Sequence, residues 1–244
     1  NIYLYLTKSY VGLKDFDTAS KAANLIVKTS SEGKNDYEEA LLSIGKGYID
    51  NKDYVRAQKE LTNALSVQGK NYEDIVLNLA LAAYNNSQYI KTIVYLDEYY
   101  KGTKVGTNKD LVNYLYGSSY YKTNESLKAL DYFKKVRNSS VSSEYKTLSV
   151  LTMIEIYLKQ GNAKEAESIL SSLSSEQKLY NTALKSFGDF YLVRGANEVA
   201  LSYYNKITNK DIDVWYGIAL AQYRLKDYKN SLENFRKLYP TKYK

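Results

Sequence analysis

The sequence predicts an all-α protein, an α-solenoid of about seven antiparallel helix-turn-helix repeats. Three observations predict this fold class. One Pro and 12 Gly in 244 residues are too few for the frequent turns of an all-β chain. Apolar residues recur at helical spacing along the chain. A Tyr and an Ala separated by eight residues recur at intervals that fit one pair of helices.

The repeat is defined by a small residue that occurs seven times, at intervals of 31 to 38 residues. In five copies it is the Ala of the Tyr and Ala pair, as in Tyr48 with Ala57. Apolar residues four and seven positions later predict one buried stripe on the second helix of each repeat, helix B. We call the seven small residues the register residues; they are Ala19, Ala57, Thr92, Ala129, Ala166, Ala200 and Ser231.

The first helix of each repeat, helix A, carries a small residue twelve positions before the register residue in six of seven copies. Gly45, Gly117 and Gly188 are the smallest of them. Because two helices approach closely only where side chains are small, we expect helix A to contact helix B at these positions. Between the two helices, Gly161 and Gly195 lie where a helix C-terminus needs a residue that tolerates positive φ.

The repeats are expected to stack into one superhelical domain over residues 1–244, because a single helix pair cannot bury its own apolar face. The chain starts at Asn1, inside an apolar periodic segment, which favours a fragment of a longer protein. The approximate repeats are 1–34, 38–70, 73–106, 110–143, 147–178, 181–210 and 212–244.

The chain contains no Cys and no His, which excludes disulfides, thiolate nucleophiles, imidazole bases and the common structural zinc sites. Adjacent acids such as Glu38 and Glu39 point in different directions on a helix, so we interpret them as solvated or helix-terminal charges. The charges that give the net +7 are interspersed, and no apolar stretch has the length of a membrane span. The sequence therefore predicts no enzyme, no metal and no cofactor.

The repeat resembles that of the tetratricopeptide family, in which a large and small pair, a Tyr, an Ala and an aromatic residue follow in order. The most similar copy is Trp215, Ile218–Ala219, Tyr228, Ser231 and Phe235. The resemblance implies a right-handed superhelix whose helices A line a concave groove, where family members generally bind an extended peptide or a partner helix. Two departures are the longer periods and the missing Pro after helix B, except for Pro240.

The resemblance places candidate partner-binding residues on helices A, outside the packing stripe. Tyr84, Tyr114 and Tyr121 lie on successive repeats and either form an aromatic patch for recognition or fill half-buried helix surfaces. Lys122, Lys159 and Arg224 are candidates for meeting carboxylates of a partner. A clamp for a C-terminal carboxylate does not map, because Lys8 and Lys46 stand where it needs Asn. The complete candidate set is Lys46, Leu81, Tyr84, Tyr114, Tyr121, Lys122, Glu155, Lys159, Asp189, Tyr216, Tyr223 and Arg224.

The favoured function is a protein-protein interaction scaffold that binds another protein or a peptide. One alternative is an RNA-binding array of the pentatricopeptide kind, since its two-helix repeat has a similar length. The spacing of Tyr and small residues does not favour nucleic acid. Another alternative is an assembly factor of the bacterial cell envelope that uses the same scaffold. Envelope and cytoplasm both stay open, and uncapped ends leave room for a homo-oligomer.

Overall fold

The computed structural model describes residues 1–102, 108–139 and 144–238. In these ranges the chain forms fourteen α-helices in antiparallel pairs and no β-strand. The all-α repeat fold predicted from the sequence is confirmed. The predicted repeat ends at residues 106, 143 and 244, and Pro240, lie outside the described residues. The repeat boundaries and the single domain stay predictions.

Contacts between Cα atoms divide the chain into two compact units, unit 1 (Asn1–Ser139) and unit 2 (Ser140–Lys244). The helices A of unit 1 are α1 (Ile2–Gly12), α3 (Ser31–Asp50), α5 (Tyr72–Asn85) and α7 (Lys109–Lys122), and its helices B are α2 (Phe16–Asn24), α4 (Tyr54–Val67), α6 (Tyr89–Gly102) and α8 (Ser126–Arg137). In unit 2 the helices A are α9 (Glu144–Lys159), α11 (Gln177–Val193) and α13 (Ile212–Arg224), and the helices B are α10 (Ala163–Ser172), α12 (Asn197–Asn205) and α14 (Tyr228–Leu238).

The register residues lie at the centre of each helix pair. Six of them are 0% exposed and Ser231 is 3% exposed. The residues four positions later on helix B are also buried in the first six repeats, which confirms the predicted stripe; they are Ala23, Leu61, Leu96, Phe133, Leu170 and Tyr204.

The small residues of helix A lie where helix B comes closest. A Cβ added to Gly45 would lie 2.6 Å from the Cγ of Leu61, and one added to Gly188 would lie 2.4 Å from the Cε1 of Tyr204. Gly117 meets the ring of Phe133 in the same way. The predicted contacts at these three glycines are therefore confirmed.

All seven turns between helix A and helix B share one backbone conformation. The residue five positions before the register residue has a positive φ in every repeat, between 58° and 77°. The next residue donates its N–H to the carbonyl oxygen five positions earlier, as Asp53 does to Tyr48 at 2.8 Å. This is the Schellman arrangement that ends a helix. The expectation for Gly161 and Gly195 is confirmed; the other turns use Lys14, Lys52, Ser87, Asn124 and Lys226 at this position.

Within each unit, successive helices A come within 8 Å of each other, Cα to Cα, and each helix B contacts the helix A of the next pair. Successive helices B do not come that close in the parts of the chain that the structure describes. Helices A are therefore closer together than helices B, which places helices A on the inner side of the curve within each unit.

One pair of acids contradicts the interpretation of paired acids as solvated charges. Glu38 is 1% exposed, and its two carboxylate oxygens accept hydrogen bonds from the backbone N–H groups of Gly69 and Asn71, each at 2.8 Å. The carboxylate is buried because it satisfies two donors of the loop that leads into α5. Its neighbour Glu39 is half-buried and pairs with Lys8.

Candidate functional site

The candidate residues share one stripe of helix A. All twelve lie 15, 11, 8 or 7 positions before a register residue, a spacing that covers an arc of about 100° on a helix. We call the residues at these positions the groove stripe. Since helices A lie on the inner side of each unit, the groove stripe is the surface on which a ligand could span several repeats.

In the first part of unit 1, ion pairs join lysines of the groove stripe to acids on the next helix A. Lys8 on α1 pairs with Glu39 on α3 at 2.5 Å, and Lys46 on α3 pairs with Asp74 on α5 at 2.9 Å. Each lysine lies 11 positions before its register residue, and each acid lies 18 positions before the next one. These two ion pairs were not predicted from the sequence, although the recurring positions of Lys and acid indicate them.

In the second part of unit 1, on α5 and α7, the groove stripe carries aromatic and aliphatic side chains. The rings of Tyr84 on α5 and Tyr114 on α7 meet edge to face, with centroids 6.5 Å apart. Leu81 and Tyr84 pack against a buried cluster of α5, α6 and α7. Burial is the main cause that raises the pKa of Tyr84 to about 12. These rings are half-buried, so they pack between repeats and still present an edge to solvent.

Two further candidates of unit 1 lie near the end of α7. Tyr121 is half-buried, and Lys122 is exposed in the last helical turn. The edge-to-face contact described above joins Tyr84 and Tyr114. A continuous patch of all three tyrosines stays a prediction.

In unit 2 the groove stripe carries charges that are already paired. Glu155 and Lys159 on α9 form an ion pair at 2.6 Å. Asp189 on α11 accepts a hydrogen bond from the hydroxyl of Tyr204 at 2.6 Å and pairs with Lys185 at 3.1 Å. The carboxylate of Asp189 therefore supports the core as well as facing the groove.

The last helix A of unit 2 exposes two large rings. Tyr216 is 52% exposed and Tyr223 is 56% exposed, and each touches only one other ring, Phe235 and Tyr228 respectively, among the ring contacts of the described residues. Arg224 donates from Nη1 to the carbonyl oxygen of Leu192 at 2.7 Å, so it caps the C-terminal end of α11. Its position near the groove is thus partly explained by the fold.

A pocket of about 410 Å³ opens between α9 and α11, the first two helices A of unit 2. Leu151, Leu158 and Phe190 contribute apolar walls, and the pair Glu155 and Lys159 lies at its edge. The groove stripe of unit 2 therefore borders an open pocket between consecutive helices A.

The family model of the tetratricopeptide repeat matches residues 213–241, the segment that contains Trp215 and Phe235. The solved structure of a tetratricopeptide repeat protein from Parabacteroides merdae ATCC 43184 superposes with a TM-score of 0.63 at 14% identity, over 82% of this chain and 78% of that chain. The chain therefore has the fold of a tandem tetratricopeptide repeat protein, and residues 213–241 match the model of that repeat.

Two other proteins, one solved structure and one sequence relative, are similar to this chain. The structure of PilW, a type IV pilus biogenesis factor, superposes with a TM-score of 0.60 at 17% identity, over 82% of this chain and 91% of that chain. The outer membrane protein assembly factor BamD of Pasteurella multocida (strain Pm70) is 25% identical over 183 residues, which is 72% of this chain and 69% of the relative. These roles belong to those proteins.

The tetratricopeptide fold is that of a scaffold for protein interactions, and its family is typically non-catalytic. In the residues that the structure describes, no cluster of three or more acids is placed to hold a metal ion. None of the helices described combines the length and apolar character that crossing a membrane requires.

Proposed function

We propose that this tetratricopeptide protein is an assembly scaffold of the bacterial cell envelope, and that it binds an extended segment or a helix of a partner protein along the groove stripe. The observation that carries the proposal is the exposure of Tyr216 and Tyr223, at 52% and 56%, on the inner face of α13. Two large rings left more than half exposed on this face contribute little to the core of unit 2.

Tyrosine suits a recognition surface because its ring offers a large contact area at low cost in side-chain entropy, and its hydroxyl adds a hydrogen bond. Tyr84 and Tyr114 present further ring edges in unit 1. A partner helix or extended segment can contact such rings at regular intervals.

The envelope assignment is supported by the roles of two similar proteins, one in outer membrane protein assembly and one in type IV pilus biogenesis. A scaffold that holds a partner segment without chemistry fits a chain that lacks His and Cys.

Site-specific photo-crosslinking in cells tests the proposal. A photoreactive phenylalanine analogue replaces Tyr216 or Tyr223 on the groove stripe, and matched controls carry it at Ile90 or Leu127, which are 71% and 75% exposed on helices B. We expect adducts with an envelope protein from the two groove positions and none from the two controls. Adducts only from helices B, or adducts with RNA from the groove positions, would overturn the proposal.

A variant tests the tyrosines of unit 1 in the same assay. Replacing Tyr84, Tyr114 and Tyr121 by Ala should weaken capture of the same partner. Because these rings are half-buried, circular dichroism must first show that the variant keeps its helices. If the folded variant captures the partner as well as the wild type does, unit 1 does not take part in recognition.

A further inference from the structure

The charged residues around the pocket between α9 and α11 lie at two levels along the helices, acids at one level and bases at the next, although Glu155 and Lys159 also contact each other at 2.6 Å. Glu155 on α9 and Asp189 on α11 both lie 11 positions before their register residues. Lys159 lies 7 positions and Arg194 lies 6 positions before theirs. Since consecutive helices A run in the same direction, the two acids lie side by side, and the two bases lie about one helical turn further along.

The remaining lining of the pocket is mainly apolar. Leu158 is 4% exposed and closes the pocket against the core, while Leu148 and Val193 are 42% and 80% exposed at its mouth. The guanidinium of Arg194 lies 3.6 Å from the centre of the Phe190 ring, which holds the base at the edge of the pocket. A pocket of about 410 Å³ is large enough for one large apolar side chain and open enough for the chain that carries it.

We propose that this pocket takes a large apolar side chain of a partner peptide that has a basic residue on one side and an acidic residue on the other. The partner's base faces Glu155 and Asp189, and its acid faces Lys159 and Arg194. The separation of charge fixes the direction in which the peptide lies across α9 and α11. This inference rests on the proposed function and adds the chemistry of the bound segment.

The existing contacts of the four charged residues are compatible with this role. The ion pair of Glu155 and Lys159 lies at the surface, with side chains 47% and 52% exposed, so exchanging it for contacts with a ligand costs little. Asp189 keeps its hydrogen bond from Tyr204 on one carboxylate oxygen, and a base of the ligand shares the other oxygen with Lys185, which lies 3.1 Å from it.

Two fluorescein-labelled decapeptides test the proposal on the full chain by fluorescence anisotropy. Both have a central phenylalanine in a frame of glycine and serine. One has lysine two residues before it and glutamate two residues after it, and the other has these charges exchanged. A third peptide carries glutamine at both charged positions, and a fourth carries alanine in place of phenylalanine.

We expect the wild type to bind one charge order about fivefold more tightly than the other, the scale expected when two exposed charge pairs change sign. The glutamine and alanine peptides should bind more weakly than the preferred order. The double variant Glu155→Lys, Lys159→Glu keeps an ion pair at these positions but should lose the preference. The control double variant Glu98→Lys, Lys101→Glu, which reverses an ion pair on α6 of unit 1, should retain it.

Three results would each overturn the inference. The first is equal affinity for both charge orders, and the second is a preference that survives the exchange at Glu155 and Lys159. The third is failure of both charged peptides to bind more tightly than the glutamine peptide. The crosslinks at Tyr216 and Tyr223 are read separately. If they form while the peptides show no preference, the scaffold proposal stands and only the pocket chemistry is wrong.

Discussion

The backbone N–H of Gly69 donates to the buried carboxylate of Glu38 at 2.8 Å, across 31 positions of the sequence. Glu38 lies on α3, and Gly69 lies in the loop between α4 and α5. The second oxygen of the same carboxylate accepts from Asn71, which immediately precedes α5. One side chain therefore fixes the connection between the second and third helix pairs.

Replacing Glu38 by Gln should destabilise unit 1 by about 2 kcal/mol, because the amide nitrogen of Gln cannot accept a hydrogen bond from one of the two buried N–H groups. The matched control is Glu39→Gln, since Glu39 is partly exposed and pairs with Lys8 at the surface; it should cost less than about 1 kcal/mol. Urea unfolding followed by circular dichroism measures both. Equal effects of the two variants would show that the buried contacts of Glu38 contribute little.

Replacing Gly188 by Ala should destabilise unit 2 by about 2 kcal/mol. The Tyr204 ring lies between Gly188 and Gly217, so it cannot move away from a new methyl group without meeting the second helix. In the control Gly12→Ala the added Cβ meets nothing within 4 Å, and the change should be neutral or stabilising by up to about 1 kcal/mol. Thermal unfolding distinguishes the two. A neutral Gly188→Ala would mean that the helices separate more easily than this close contact implies.

Replacing Lys52 by Gly should stabilise the protein by up to about 1 kcal/mol, because Lys52 holds a φ of 61° that is strained for a residue with a Cβ. Gly161 occupies the same place in its own turn with a φ of 77°, so Gly161→Ala should destabilise by a similar amount. Denaturation midpoints of the two variants should move in opposite directions. A shift in the same direction would contradict the equivalence of the two turns.

Stability should fall as the pH rises from about 10 to about 12. The pKa of Tyr84 is raised from 10.0 to about 12 in the folded protein, mainly by burial, and burial also raises the pKa of Tyr116 and of Tyr204. A raised pKa means that the folded state holds the proton more tightly than the unfolded state. The resulting stability is fully present below the unfolded pKa and is lost as the pH rises through the folded one.

Unfolding by urea at several alkaline pH values, with tyrosinate absorbance recorded in parallel, measures this loss. Between these pH values, the free energy of unfolding of Tyr84→Phe should fall by up to about 2 kcal/mol less than that of the wild type, since about 1.4 kcal/mol corresponds to one pKa unit. Tyr5→Phe, at a ring that is 67% exposed, serves as the control. If Tyr84→Phe behaves like this control, burial of the Tyr84 hydroxyl does not govern the alkaline transition.

The sequence predicted the features that recur in most repeats. The register residue, the small residues of helix A opposite helix B and the position of the turn could be found because most of the seven copies carry the same requirement. Contacts that occur once were missed. Glu38 resembled any surface acid, since only the fold of the loop at Gly69 buries it.

For the candidate residues, the sequence predicted their places along helices A but not their contacts. Helical spacing placed Lys46 and Arg224 on the groove stripe, yet it could not show that Lys46 pairs with Asp74 or that Arg224 caps α11. These contacts depend on how far each repeat is shifted along the next one, which a single periodic pattern does not determine. The pocket between α9 and α11 depends on the same shift.

The measurement that tests the central claim most directly is the dissociation constant for the crosslinked partner, by calorimetry, for three forms of the chain. They are the wild type, Tyr216→Ala with Tyr223→Ala on the groove stripe, and Val55→Ala with Ile90→Ala on helices B, where the side chains are 68% and 71% exposed. We predict at least about tenfold weaker binding for the groove variant and less than about twofold for the control, as expected for aromatic anchor residues. Unchanged affinity of the groove variant, or a larger loss for the helix B variant, would contradict recognition along the inner face.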